Sequence, residues 1–230
     1  MDITVVGTNY VGLVSAACFA EMGNCVLCLD NNESRIQKLQ KGETPLYEPG
    51  LDGILNDNSN TGRLTYSHDF SKISQQCQIF YIAVDTPSAR DGSADLTALW
   101  QVIDQVAGEI NQDSLIITAS TVPVGTSEKI KSRVISRLEH QAKSFNIDIA
   151  ANPQFLKEGA AVDDFNRPDR IIIGIENDKT KRLMRKLYKP FSLSFDKLMF
   201  MGIRDAELTK YATNAMLATK ISFMNEMANL

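Results

Sequence analysis

The chain has 230 residues, 43% of them hydrophobic and 23% charged, with 13 Gly and 7 Pro. This composition excludes a disordered, collagen-like or membrane-spanning chain, and the length suits one sizeable core with something attached to it. Lys and Arg number 24 against 28 Asp and Glu, a net charge of −4 with the signs interspersed, which argues against nucleic-acid or anionic-membrane partners.

The longest uncharged stretch, Ile3 to Ala20, carries Thr4, Gly7, Thr8, Asn9, Tyr10 and Gly12, so it reads as neither a signal peptide nor a membrane span. Four cysteines (Cys18, Cys25, Cys28, Cys77) without a secretory signal suggest reduced thiols and a cytoplasmic protein. Cys25 and Cys28 form a C-x-x-C, but in an apolar strand-like run, where residues three apart point to opposite faces. His68 and His140 have no companions at ligand spacing, so no metal site is expected.

In chain order, the first strand is Ile3 to Val6, followed by a helix from Tyr10 to Met22 that Gly23 closes. A strand over Cys25 to Leu29 leads to a helix over Glu33 to Gln40. Thr44 to Gly50 holds two prolines and a glycine and reads as an ordered loop. Further strands are expected at Leu64 to Tyr66, Ile79 to Val84, Leu115 to Ala119, Ile147 to Ala150, Arg170 to Ile175 and Leu198 to Met201. Helices are expected at Leu96 to Ile110, Ser127 to His140 and Lys179 to Lys189. The alternation predicts an α/β fold: a doubly wound, Rossmann-type parallel sheet over residues 1–202. Asp205 to Leu230 contains no Gly or Pro and reads as one long helix; residues 203–230 are expected to begin a connecting helix on which another domain packs.

The first strand runs into Gly7-Thr8-Asn9-Tyr10-Val11-Gly12 and a helix, and the second strand ends in Asp30, 18 residues beyond Gly12. Strand, glycine turn, helix, strand and acid, in that order, is the dinucleotide-binding arrangement. Backbone N–H groups at the helix start would face the pyrophosphate, and Asp30 would accept hydrogen bonds from the adenosine ribose while repelling a 2′-phosphate, which favours NAD over NADP. Asn9 stands at the middle glycine position; it tolerates a left-handed conformation, but its side chain takes up space.

These residues resemble those of the UDP-glucose/GDP-mannose dehydrogenases, a family of nucleotide-sugar dehydrogenases. Tyr10 to Leu13 is similar to the family's glycine turn, and Pro45 to Leu51 to the loop after its second helix. Asp91 to Leu96, Ser120 to Thr126, Asn152 to Gly159 and Pro168 to Arg170 follow in the family's order, and Glu207 to Asn214 resembles its central-helix motif.

The resemblance implies oxidation of a primary alcohol to a carboxylate with two NAD per turnover, through an aldehyde and a cysteine thioester. The implied conversion is UDP-glucose to UDP-glucuronate, in a homodimer assembled through the central helix, with GDP-mannose and UDP-N-acetylhexosamines as alternative substrates. It assigns Gly7, Tyr10, Val11, Gly12, Asp30, Arg35, Thr86, Thr121 and Glu158 to the cofactor. Gln154, Phe155, Leu156, Lys157, Lys210 and Asn214 fall to the UDP-sugar, with Thr121, Gln154, Glu158, Lys210 and Asn214 in catalytic roles. Lys210 and Asn214 are four apart and so on one helix face. Arg35 reads equally as a surface arginine, and Tyr47 and Glu48 as loop packing.

Three positions depart from the family: Asp85 stands where glycine is usual, Ala119 where lysine is frequent and Gln154 where glutamate is usual. An amide cannot take up a proton as a carboxylate does, and Asp85 puts negative charge near an anionic cofactor. The family's nucleophilic cysteine lies beyond the central helix in a glycine-rich context that none of the four cysteines has. The expectation is therefore a cofactor-binding half without the sugar-binding domain. Its rivals are a β-hydroxyacid dehydrogenase and a non-catalytic NAD-binding module.

Overall fold

The computed structural model describes residues 1–192 and 196–230. Short continuous apolar runs, buried on both faces, form most of the strands, and longer segments form the helices. Strand β1 (Asp2–Val6) passes through helix α1 (Tyr10–Glu21) to β2 (Cys25–Leu29), α2 (Glu33–Gln40), α3 (Leu51–Asn60) and β3 (Leu64–Ser67). There follow β4 (Ile79–Ile82), α4 (Thr97–Glu109), β5 (Ser114–Thr118), α5 (Thr126–His140) and β6 (Ile147–Ala151). Then come α6 (Ala161–Asn166), β7 (Ile171–Ile175), α7 (Asp178–Tyr188), β8 (Leu198–Met201) and α8 (Ile203–Ala228).

The eight strands lie in the order β3-β2-β1-β4-β5-β6-β7-β8. From β1 the chain winds first to β2 and β3 on one side and then to β4, β5 and β6 on the other, so a crevice opens at the C-terminal ends of β1 and β4. That is the switch point at which open parallel sheets bind ligands. The strands alternate between the two faces. Ile3, Val5, Ile79 and Tyr81 join the core under α1, α3, α6 and α7, whereas Val6, Phe80 and Ile82 join the core under α4 and α5. On the first face Phe19 packs edge-on against Tyr81, Phe165, Tyr188 and Phe191.

The expected parallel sheet has one exception: β7 pairs with β6 antiparallel, and β8 runs parallel to β7. The reason is the connection. The six residues of α6 span only about 9 Å at 1.5 Å per residue, short of a five-residue strand at about 3.3 Å per residue. The chain therefore does not cross back, and residues 152–160 stay at the C-terminal edge of the sheet. Helices α3 and α6 have no counterpart among the expected elements. Five asparagine or aspartate residues and a glycine dilute the apolar signal of α3, and α6 is too short to show periodicity.

Helix α8 is held by its first turns alone. Ile203, Ala206 and Glu207 are buried, and a Cβ at Gly174 of β7 would lie 2.7 Å from the Ile203 Cα, so the helix start rests directly on the sheet backbone. Beyond this, Met216, Leu217, Ile221, Phe223, Met224 and Met227 are exposed. At 100° per residue they do not form the single stripe that their recurrence suggests: Met216, Phe223 and Met227 fall on one side, and Leu217, Ile221 and Met224 on another. No helix among the described residues is long and apolar enough to cross a membrane.

Candidate cofactor and substrate cleft

The turn from β1 into α1 depends on its glycines. Gly7 has φ +106° and a Cβ there would lie 2.5 Å from the Ala83 carbonyl oxygen; a Cβ at Gly12 would lie 2.0 Å from the Gly7 oxygen. Asp30, at the end of β2, is fixed from several directions. Its Oδ2 accepts hydrogen bonds from the Thr8 N–H at 2.8 Å and the Thr8 hydroxyl at 2.7 Å, its Oδ1 accepts from the Asn32 N–H at 2.9 Å, and the Arg35 guanidinium lies 3.5 Å away. Thr8, a residue with no motif signal of its own, thus ties the glycine turn to the acid at the end of the second strand.

Asn9 is not left-handed. It adopts an extended conformation (φ −73°, ψ −173°) as the N-cap of α1, its Oδ1 accepting from the Gly12 N–H at 2.9 Å. Its Nδ2 donates to Asp85 Oδ1 at 2.6 Å. The two departures from the glycine pattern are therefore bonded to each other.

Around this turn lie two clefts. The first, of about 280 Å³, has apolar walls from Val84, Pro87 and Val102 and a polar rim of Gly7, Asp30 and Arg35. A flat base followed by a ribose suits that lining, so the residues present fit a dinucleotide. The second, of about 450 Å³, is shared by Tyr10, Arg35, Tyr47, Asp85 and Glu158, and places Glu158 beside the turn.

Glu48 is bonded to Tyr10, which lines the second cleft. Its side chain is buried, and it accepts from the Gly159 N–H and the Ala161 N–H, both at 2.8 Å, and from the Tyr10 hydroxyl at 2.9 Å. The single Tyr10 phenolic proton is shared with the Lys157 carbonyl, 2.7 Å away. Burial, and then the Glu48 carboxylate, push the Tyr10 phenol well above its ordinary pKa. Tyr47, next in sequence, is 88% exposed. Of the open alternatives for this pair, Glu48 is a structural pin.

At the far end of the crevice Thr86 Oγ1 donates to the Thr121 carbonyl at 2.6 Å, and the Ser120 hydroxyl to the Val84 carbonyl at 2.7 Å, joining the segments that follow β4 and β5. Lys210, in the third turn of α8, shares a small cavity with Ser120, Thr121 and Pro153. Its Nζ donates to the Gln154 carbonyl at 2.6 Å and lies 4.9 Å from the Phe155 ring centroid. Among the described residues it has no carboxylate within ion-pair distance. Burial without such a partner lowers its pKa.

The Gln154 side chain turns the other way, donating to the Asn152 carbonyl and Oδ1 at 3.0 Å each. Asn152 is fully buried, bonded also to the Tyr188 hydroxyl and the Ile172 carbonyl. Of the other assigned side chains, Lys157 pairs with Asp164 at 3.2 Å, and the partly buried Leu156 packs against the core. Val11 also packs against the core at the start of α1, and Asn214 is exposed one turn beyond Lys210.

A glycine turn closed on a parallel strand, an acid anchored to that turn and clefts at the sheet's switch point define a Rossmann-type dinucleotide-binding domain. Residues 1–192 match the NAD binding domain of the UDP-glucose/GDP-mannose dehydrogenase family, and residues 204–230 match its central domain; the chain belongs to that family. It is 47% identical, over all its 230 residues and 51% of the relative's length, to UDP-glucose 6-dehydrogenase of Pseudomonas aeruginosa. Among solved structures, a UDP-glucose dehydrogenase of Pyrobaculum islandicum superposes with a TM-score of 0.88 at 36% identity, over 98% of this chain and 52% of that one. GDP-mannose dehydrogenase of Pseudomonas aeruginosa, in a ternary complex, gives 0.89 at 30% identity with the same coverage. The chain thus spans about half the length of the relatives it matches, and it carries the family's NAD-binding domain.

Proposed function

We propose that the protein containing these residues oxidises UDP-glucose to UDP-glucuronate with NAD, and that this chain supplies the cofactor site and part of the sugar-oxidising face. The observation that carries this reading is the half-buried Lys210 ammonium, without a carboxylate partner, in a cavity shared with Thr121 at the dinucleotide end of the sheet. The 47% identity to a UDP-glucose 6-dehydrogenase supports the choice of sugar.

Bound NAD supplies the hydride acceptor. Asp30, fixed by Thr8, takes the ribose hydroxyls; Arg35 lies beside it; Gly7, Tyr10, Val11 and Gly12 form the backbone wall; Thr86, Thr121 and Glu158 line the route towards the reacting end. Lys210 and Asn214 donate from one face of α8 to the oxygen on which negative charge develops as the alcohol carbon changes oxidation state. Because the Gln154 amide is spent on Asn152, Gln154 acts through its carbonyl, as a positioning residue for Lys210 beside Phe155. Glu158 and Thr121 are then the groups left to order water.

None of the four cysteines suits a thioester. Burial pushes the Cys18 thiol up to about 12 and the Cys28 thiol higher, Cys77 is buried, and Cys25 begins β2 at the opposite edge of the sheet. The nucleophile is therefore assigned to the remainder of the protein, and the exposed apolar sides of α8 to contact with that remainder and with a second copy. The test uses the complete protein and the 230-residue chain side by side. The complete protein is expected to form two NADH per UDP-glucuronate, and Lys210→Ala to lower kcat by about 100-fold or more with NAD affinity unchanged. The chain alone should bind NAD and make no UDP-glucuronate. Full activity of Lys210→Ala, or sustained turnover by the chain alone, overturns the assignment.

A further inference from the structure

We propose that Asn9 and Asp85 act as one unit that holds a negative charge at the anion-binding end of α1, and that this unit sets how tightly the domain binds diphosphate ligands. The inference rests on the cofactor reading above and adds to it a determinant of affinity.

The donors at the start of α1 are partly used within the chain. The Thr8 N–H is given to Asp30 and the Gly12 N–H to Asn9 Oδ1, which leaves the N–H groups of Asn9, Tyr10 and Val11 without a partner among the described residues. Asn9 is held at both ends of its amide, by the helix through Oδ1 and by Asp85 through Nδ2. Asp85 in turn has no cation within ion-pair distance among the described residues; the nearby Arg35 guanidinium lies by Asp30. The Asp85 carboxylate is thus tethered, unneutralised, next to a helix N-terminus, where the backbone field favours an anion.

Asn9, Arg35 and Asp85 line both clefts, so the pair stands on the boundary between them. A ligand that places its base in the first cleft and extends into the second must carry its diphosphate past this boundary. The Asp85 charge then acts on the ligand in two ways: it already occupies the helix field, and it repels the phosphates. Without Asn9 the carboxylate, on an exposed residue, turns to solvent and loses that grip. The pair therefore discriminates by phosphate content and leaves recognition of base and ribose untouched.

Isothermal titration of the 230-residue chain with NAD, ADP-ribose and adenosine tests this. Asp85→Asn keeps the shape and the acceptor for Asn9 while removing the charge. It is expected to tighten NAD and ADP-ribose alike by about three- to tenfold, as for like charges several ångströms apart in a partly solvated site, and to leave adenosine within twofold. In an Asn9→Gly background the same substitution should change NAD affinity by less than twofold. Asp85→Ser serves as a second charge-removing variant should Asp85→Asn fold poorly. Unchanged NAD affinity in both variants, an equal gain for adenosine, or a full Asp85 effect without Asn9 overturns the inference while the cofactor reading stands. Absence of any NAD or ADP-ribose binding to the wild-type chain overturns both.

Discussion

Glu207, in the second turn of α8, closes the N-terminus of α5: its carboxylate accepts the Gly125 N–H at 2.6 Å and the Ser127 N–H at 2.8 Å, from residues 82 and 80 positions away. The side chain is buried, and backbone dipoles face its carboxylate, which forms no ion pair among the described residues. Lys210 follows three residues later, so the same contact sets where its ammonium lies. Glu207→Ala leaves two buried N–H groups unpaired and is expected to cost about 3 kcal/mol, with Glu207→Gln, which keeps one acceptor, costing less. The corresponding fall in Tm is roughly 6–12 °C for a domain of this size, and an unchanged melting curve would show that α8 is anchored by packing alone.

Glu48 is expected to govern the loop that carries Glu158. Glu48→Ala removes the acceptor of the Gly159 and Ala161 amides, so hydrogen exchange at those two positions should accelerate by about tenfold or more while β1 amides stay protected. Tyr10→Phe should leave both amides protected, because it removes a donor to Glu48 and not the acceptor. Equal loss of protection in β1 would mean that the substitution loosens the whole domain.

Asp30 should decide between the two nicotinamide cofactors. Its carboxylate, fixed by Thr8 and Asn32, opposes a 2′-phosphate, so NAD is expected to bind at least about tenfold more tightly than NADP. Asp30→Ala should shrink that ratio towards one, with Arg35 left free to meet the phosphate. Calorimetric titration of the two cofactors reads the ratio directly, and NADP binding as tightly as NAD to the wild-type chain would refute the assignment.

Lys210 should lose its proton at lower pH than the exposed lysines. Its folded pKa lies below the ordinary 10.5 because burial disfavours the charged form. Between the lowered and the ordinary value the unfolded chain binds the extra proton, so this group's contribution makes stability rise with pH across that window. Carbon-13 shifts of reductively methylated lysines should show the Lys210 midpoint below the rest, and Lys210→Met should abolish that resonance together with the pH slope. A Lys210 midpoint at the ordinary 10.5 would show that its site is fully hydrated.

The exposed sides of α8 predict association. Met216, Leu217, Ile221, Phe223, Met224 and Met227 lie in water over the second half of the helix, and burying each is worth about 1.5–3 kcal/mol. Light scattering of the 230-residue chain at micromolar concentration should give a mass above the monomer, and Ile221→Asp and Phe223→Asp, on different sides, should each reduce it. A clean monomer unaffected by either change would remove the case for a dimer through this helix.

Legibility followed distance along the chain. The elements β2, α2 and β8 appear at the boundaries their sequence predicts, because apolar periodicity and flanking caps are local signals. The β1–α1–β2 unit was equally readable: its glycines answer to φ at one residue and to a backbone approach between neighbours, and Asp30 follows at a spacing that one helix imposes. Among the candidate site residues, Gly7, Gly12 and Asp30 come together at the turn into α1, and Lys210 reaches the Gln154 carbonyl beside Phe155. The Lys157 ammonium pairs with the Asp164 carboxylate, a contact its motif does not indicate.

What the sequence determined by itself was thus the doubly wound pattern, the dinucleotide turn and the ordered set of family motifs, all properties of segments short enough for backbone geometry to dictate. The tertiary structure alone decided the reversal at β7, the burial of Glu48 and Glu207 on backbone N–H groups, and the bond between Asn9 and Asp85. For the carboxylates and the amide the partners lie far apart in sequence: 113 positions for Glu48 and Ala161, 76 for Asn9 and Asp85. A carboxylate's residue type does not reveal whether it will meet water, a cation or the start of a distant helix. Only the folded sheet brings that partner within reach, and the energy of a buried charge is set by what it finds there.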